Sequence, residues 1–264
     1  MFWLVLVIIG AVLTPSNAFA WGPLTHVYLG TEVYFMSGAL PPAVYGLIRK
    51  FRDDYLYGNI MADIIFAKKY LPDGKNPHNW DVALGLQDEA STDPERAFAL
   101  GYMSHLAADT VAHCIYTKGK TGVGHTFLEL QADGQIDRHY LTMALSFDAK
   151  VQKRGDVLLK RCLESPIFSF KTNKRILKGI VLVSGLNAVS RMPERAMDAK
   201  IEDLHEKSLD RILDVLEKGR NSKVLKKDPR GLDHGRKHSI VMPAALPGGQ
   251  AARRLYLPSR KSQV

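Results

Sequence analysis

Two cysteines in 264 residues are too few for a disulfide framework; export would permit one bridge between Cys114 and Cys162, but the preferred reading is two buried thiols. Beyond residues 2–13 there is no apolar run approaching about 18 residues, which excludes a further membrane-spanning helix. A Walker-type glycine loop is missing, and with it the usual cradle for a nucleotide phosphate. No internal repeat is present. The zincin pattern also fails, because His205-Glu206 is followed by Leu209 where a second histidine is needed. Ile201, Leu204, Ile212, Val215 and Leu216 fall at helical spacing among charges there, the pattern of an amphipathic packing helix.

The net charge of +9 is not spread along the chain. Residues 220–264 hold eleven Lys/Arg against Asp228 and Asp233, while residues 1–219 balance at 25 basic and 25 acidic. With Pro229, Pro243, Pro247, Gly248-Gly249 and Pro258, the segment 220–264 reads as a basic, flexible tail, and its His234 and His238 as surface residues. Such a tail suits peripheral contact with an anionic membrane surface. At the other end, residues 1–20 read as a signal peptide closing on the A-x-A site Ala18-Phe19-Ala20, with an uncleaved anchor as the competing reading. Cleavage there leaves Trp21 first, with a free α-amine. The expectation is an exported protein, periplasmic or extracellular, whose domain at 21–219 is large enough for one core.

That domain reads as all-α, a compact multi-helix bundle. Asp93-Pro94-Glu95 predicts a helix start with Asp93 as N-cap, opening a helix through 97–116. Its Ala107, Ala108 and Ala112 leave room for neighbouring helices. A second helix is expected after Gly124, carrying His125 and Glu129 and continuing through 141–151, and others at 42–52, 173–189 and 193–218. Five of the nine histidines form one series, His26, His78, His105, His113 and His125, interleaved with Asp63, Asp109 and Glu129. Residues four apart on an α-helix lie about 6 Å apart along the axis and roughly 40° around it. His105, Asp109 and His113 therefore form one slowly drifting stripe, and His125 and Glu129 a second. Imidazole and carboxylate on facing helices are the ligands of a polynuclear zinc site. Asp133 reads either as a partner orienting a zinc-bound histidine or as a solvated carboxylate.

The motifs that carry this series are Trp21-Gly22…Thr25-His26, Gly58-Asn59-Ile60-Met61-Ala62-Asp63-Ile64, Pro77-His78-Asn79-Trp80-Asp81, the stretch 97–113, and His125…Glu129. Together they resemble the zinc-dependent phospholipase C family, which includes the catalytic domain of glycosylphosphatidylinositol-specific phospholipase D. More distantly they resemble the single-strand-specific zinc nucleases. The resemblance implies three zinc ions between the helices: one on Asp63, His78, His105 and Asp109, a second on His113, His125 and Glu129. The third would be held by the Trp21 amine and carbonyl, His26 and the other oxygen of Asp109. One departure stands out. Secreted bacterial members and the nucleases place five residues between the aspartate and the next histidine, whereas Asp109 and His113 are separated by three, as in the glycosylphosphatidylinositol-specific branch.

The resemblance further implies zinc-dependent hydrolysis of a phospholipid or inositol-phosphate lipid, with Asp63 orienting or deprotonating the attacking water. Two other readings stay open on the residues alone: a zinc nuclease or other phosphodiesterase acting on nucleic acid, and a catalytically weak metal-dependent envelope protein. No obligate protein partner is implied.

Overall fold

The computed structural model describes residues 21–65, 71, 75–116, 132–163, 168–186 and 195–232. The expected signal segment 1–20, residues 233–264 of the tail, and His125 and Glu129 lie outside the described residues. Among the described residues every regular element is helical, as the sequence predicts. In chain order they are α1 (Pro23–Phe35), α2 (Pro42–Lys50), α3 (Arg52–Met61), α4 (Trp80–Glu89), α5 (Asp93–Val111), α6 (His139–Leu145), α7 (Ala149–Cys162), α8 (Phe170–Leu186) and α9 (Arg195–Lys218). None of them is long and apolar enough to cross a membrane. Cys114 and Cys162 form no disulfide with each other, and both are half-buried instead of buried as expected.

The bundle is built around α5, which packs against α2, α3, α4, α7 and α9. Every residue from Ala97 to Val111 is buried. A helix enclosed on all sides is normally apolar all round, yet this one carries Ser104, His105, Asp109 and Thr110 into the core. Its start is fixed by a capping box. Thr92 accepts from the Glu95 amide, and Glu95 Oε2 accepts from the Thr92 and Ser91 amides at 3.0 Å each. A glutamate at the third helical position selects the residue three before it as cap, so the cap is Thr92, and the expected Asp93 is the first helical residue.

Glycine decides how closely α3 approaches α5. A Cβ on Gly58 would stand 2.1 Å from the Phe98 carbonyl oxygen, and one on Gly101 would stand 1.9 Å from the Tyr55 carbonyl oxygen. The two backbones are in direct contact, which only a missing side chain on each helix permits. Across α3 and α7, the buried Asp54 accepts both Nε and Nη2 of Arg154, at 3.0 and 2.9 Å.

Three expected helices are divided differently. The segment 42–52 breaks at Phe51 (φ −122°, ψ 46°), so α2 and α3 are separate. The segment 141–151 breaks after Leu145, and Asp148 caps α7 by accepting from the Lys150 amide at 2.7 Å. The long helix of 97–116 is α-helical only to Val111; Ala112–Tyr116 form a wider π turn. The packed body also continues past residue 220. Gly219–Asn221 and Lys223–Lys226 form 3₁₀ turns against the body, Val224 and Asp228 are buried, and Trp80 Nε1 donates to the Lys227 carbonyl at 2.8 Å. Lysine and arginine content argued for disorder there. Val224 and the backbone carbonyl that meets Trp80 supply the anchors that composition does not show.

Candidate metal centre

Four separate pieces of chain bring the centre together. His26 stands one turn into α1, and Asp63 sits on the 3₁₀ turn Ala62–Ile64 that follows α3. His78 lies just ahead of α4, whose N-cap Asn79 accepts from the Asp81 amide at 3.0 Å. The His78 amide donates to Asn76 Oδ1 at 2.9 Å, and Pro77 O accepts from the Tyr102 hydroxyl of α5 at 2.7 Å. His105 and Asp109 come from α5 itself. All five side chains are buried; Asp63 keeps the most solvent access, at 5 %, against 1 % or less for the others.

The ligand atoms converge. His78 Nε2 lies 3.0 Å from Asp109 Oδ2 and 3.3 Å from Asp63 Oδ1. His105 Nε2 lies 3.2 Å from Asp109 Oδ2, 3.2 Å from His78 Nε2 and 3.9 Å from Asp63 Oδ2. Nitrogen and oxygen ligands set tetrahedrally at about 2.0–2.1 Å from zinc stand about 3.3 Å from one another. The spacing of His78, His105, Asp63 and Asp109 is that of such a ligand set. His26 Nε2 approaches Asp109 Oδ1 at 3.2 Å from the other side of the carboxylate, without the alignment of a hydrogen bond. Its ring stacks on His105 with centroids 3.6 Å apart and planes inclined by 17°.

Both ring nitrogens of His26 and both oxygens of Asp109 are buried without a hydrogen-bond partner. Polar atoms left so in a core are costly unless something binds them. A divalent cation satisfies them, and the donor set of three imidazoles and two carboxylates suits zinc. His105 is oriented for it. Its Nδ1 lies 2.6 Å from the Asn59 carbonyl oxygen, which can only accept, so the proton sits on Nδ1 and the Nε2 lone pair faces the cluster. Asn59 owes that position to the close approach of α3 and α5, where Gly58 lies against the Phe98 carbonyl and Gly101 against the Tyr55 carbonyl.

Electrostatics keeps the carboxylate ready. Burial pushes the Asp109 carboxyl up, but the charges of His105 and His26 outweigh it and hold the group well below the usual carboxylate range. Burial would lower His105, and Asp109 and Asp63 overcome that to raise it. His26 goes the other way: burial, reinforced by His105, lowers it against the pull of Asp109.

Asp133 is neither of the two things expected of it. It is fully buried and caps α1, accepting from the Leu24 amide at 3.2 Å, the Thr25 amide at 2.9 Å and the Thr25 hydroxyl at 2.8 Å. Gly22, at the cap position, has no side chain of its own to do this, and a Cβ on it would stand 2.2 Å from the Asp133 carboxylate. Burial, against those hydrogen bonds, pushes the Asp133 carboxyl up to about 6.

Trp21 lies immediately ahead of α1. Its side chain is enclosed, donating to Ser208 Oγ at 3.1 Å and stacking on Tyr116 at 5.4 Å. His205 packs on the same ring at 5.1 Å and is lowered to about 4 by burial, a packing residue as the sequence indicates. His113 is buried on the π turn and lies outside both groups of converging ligands, which comprise His26, Asp63 and His105, and His78, His105 and Asp109. The π turn inserts an extra residue's width into the stripe of His105, Asp109 and His113, so the even drift expected of an α-helix does not hold at its third member. Gly231 (φ +66°) lies against His113, with an added Cβ only 2.7 Å from the His113 Cβ. Sequence reasoning passed over Asn59, Gly58 and Gly101 as anything but motif letters. Two glycines inside helices were a signal, since glycine there is unfavourable, but one that Gly46 and Gly85 share although a Cβ on either meets nothing within 4 Å.

The family model for zinc dependent phospholipase C matches residues 25–176, more than half of the chain. Comparison with curated proteins and with solved structures finds no match.

Proposed function

The chain belongs to the zinc-dependent phospholipase C family, and on that premise we propose that this phosphodiester hydrolase cleaves the glycerol–phosphate bond of a phospholipid or inositol-phosphate lipid at the His/Asp centre. The observation that carries the reading is the convergence of His78, His105, Asp63 and Asp109 at ligand spacing within the stretch matched by the family. Zinc held there supplies Lewis-acid stabilisation of phosphoryl oxygens and lowers the pKa of water towards about 7. The chain's own residues do the rest. Asp63, the most solvent-accessible of the five, is placed to orient and deprotonate the attacking water. The Asn59 carbonyl holds the His105 proton on Nδ1. Asp109 offers one oxygen towards His78 and His105 and the other towards His26, so it would be able to hold a cation on either side.

We extend this to three zinc ions, divided as the resemblance implies, with His113, His125 and Glu129 holding the second and the Trp21 amine joining His26 at the third. The burial of Trp21 one turn ahead of His26 supports that placement, and it requires removal of residues 1–20 on export to the periplasm or medium. Contact of residues 220–264 with anionic lipid has narrower support than charge alone gave it, because Arg220 pairs with Asp88 and Arg230 with Asp228.

The deciding experiment measures zinc per chain in protein beginning at Trp21, together with turnover on a panel of phospholipids and on single-stranded DNA. Lipid hydrolysis with about three zinc ions is the expected result. Cleavage of DNA without lipid hydrolysis would make the protein a nuclease, and one zinc in the active protein would remove the three-ion arrangement.

A further inference from the structure

The balance of charge over residues 1–219 conceals a strong local asymmetry. From 149 to 186 the chain carries Lys150, Lys153, Arg154, Lys160, Arg161, Lys171, Lys174, Arg175 and Lys178, opposed only by Asp156 and Glu164. Arg154 and Lys174 are consumed internally, by Asp54 and Asp156, and Arg161 lies 3.9 Å from Glu95. The remainder fall into two exposed stripes at helical spacing. On α7 the stripe is Lys150, Lys153, Val157 and Lys160; on α8 it is Lys171, Arg175, Lys178 and Leu182. Each stripe borders the seam where the helices meet, at which Lys174 Nζ reaches Gln152 at 3.0 Å and Asp156 at 2.7 Å. Each also holds one exposed aliphatic side chain, Val157 at 41 % and Leu182 at 43 %.

We propose that the α7–α8 face is the surface by which the protein lies on an anionic lipid bilayer. Cations interleaved with outward-facing aliphatic residues are what such a surface selects: the charges attract acidic headgroups, and the aliphatic groups enter the interface. A nucleic-acid surface would present exposed stacking aromatics among its cations, whereas Phe170, the ring that Lys160 covers at 4.7 Å, is half-buried. The face also adjoins the centre. α8 packs against the Ala62–Ile64 turn that bears Asp63. Between the two runs an apolar hollow lined by Tyr57, Ile60, Met61, Leu177 and Val181, with exposed Lys178 on its wall. A bilayer on this face therefore lies beside the end of α3 that leads into the site. The inference rests on the lipid-hydrolase reading for its purpose, but its geometry is independent of it.

The test is cosedimentation of the full-length, zinc-loaded protein with phosphatidylcholine vesicles and with phosphatidylcholine–phosphatidylserine vesicles, at low and high salt. Hydrolysis of a soluble short-chain phospholipid is followed in parallel. The protein should bind the serine-containing vesicles and release them in high salt. Each engaged cation contributes about five-fold in partitioning, so replacing Lys150, Lys153, Lys171, Arg175 and Lys178 together by Gln should weaken binding by about a hundred-fold or more. Short-chain hydrolysis should be unchanged. Val157→Ser with Leu182→Ser should weaken vesicle binding as well, which a purely electrostatic or nucleic-acid surface would not show. Vesicle binding that survives the five-fold replacement overturns the inference, as does wild-type binding to single-stranded DNA but not to vesicles. Salt-sensitive vesicle binding by a protein that hydrolyses no lipid would leave this surface standing and remove the hydrolase reading instead.

Discussion

Asp109 binds the centre together because one carboxylate faces three histidines. Removing it leaves His26, His78 and His105 buried without the carboxylate oxygens on which they converge. Asp109→Ala and His105→Ala should each lose zinc and turnover together, read by metal analysis and by rate on the same preparations. Retained zinc in either variant would move the centre elsewhere. Asp63→Asn is a different test, since its proposed work is on water in the transition state. Turnover should fall by about 10²–10⁴ with little change in substrate binding, and a change confined to KM would make Asp63 a binding residue. Asp133 makes a prediction in pH. Its carboxyl is raised from 3.8 to about 6 in the fold, so the stability it contributes is complete below pH 3.8 and lost as pH rises through about 6. Asp133→Asn cannot ionise. Measured by urea unfolding at matched metal content, the variant should gain about 2.5 kcal/mol on the wild type between pH 4 and pH 7. A constant difference across that range would mean that the α1 amides hold the carboxylate ionised after all. At this scale the sequence was informative about which residue types gather, because ligand chemistry restricts them to His, Asp and Glu. It misread Asp133, whose capping role depends on a contact more than one hundred residues away.

Helices were legible from their periodicity, and their exact starts and breaks were not. The sequence reading puts the cap of α5 one residue late, at Asp93 instead of Thr92, and passes over the Asp148 cap of α7 inside a helix expected through 141–151. Phe51, Ser146 and the π turn at Ala112–Tyr116 end helices whose residues would continue them happily; tertiary packing makes the break. The approach of α3 to α5 is the element-scale feature on which the centre depends. Gly58→Ala or Gly101→Ala would drive a methyl group into a backbone carbonyl with nothing flexible to yield. Overpacking of this kind costs about 1–3 kcal/mol, and it should also lower zinc affinity by drawing the Asn59 carbonyl away from His105. Gly46 and Gly85 supply the control, since both lie within helices and a Cβ on either meets nothing within 4 Å. Alanine there should stabilise by about 0.5–1 kcal/mol and leave zinc binding alone. Thermal melts and zinc titrations of the four variants separate the two outcomes. Equal effects at all four would reduce the α3–α5 glycines to ordinary helix positions.

At the scale of the whole molecule the question is where the packed body ends. Charge and proline counts put the boundary at 220, but they weigh the segment's cations without weighing its anchors. Val224 is buried, Ser222 caps the 3₁₀ turn by accepting from the Val224 amide at 3.1 Å, and the Lys227 carbonyl receives the Trp80 indole. Gly231 then reaches His113 beside the centre, and its positive φ is what lets the chain turn there. Two truncations distinguish the readings. Ending the chain after Leu232 removes none of these contacts, so melting temperature, zinc content and short-chain turnover should match those of the full chain. Ending it after Gly219 exposes the Val224 pocket, worth about 1.5–3 kcal/mol, and strands the Trp80 N–H, worth about 1 kcal/mol. A loss near 3 kcal/mol should lower the melting temperature by roughly 6–12 °C in a protein of this size. It also uncovers the π turn that carries His113, so zinc should dissociate more readily from the shorter protein. Were the two truncations to melt together and hold zinc alike, residues 220–232 would be dispensable, and the boundary drawn from composition would be the physical one.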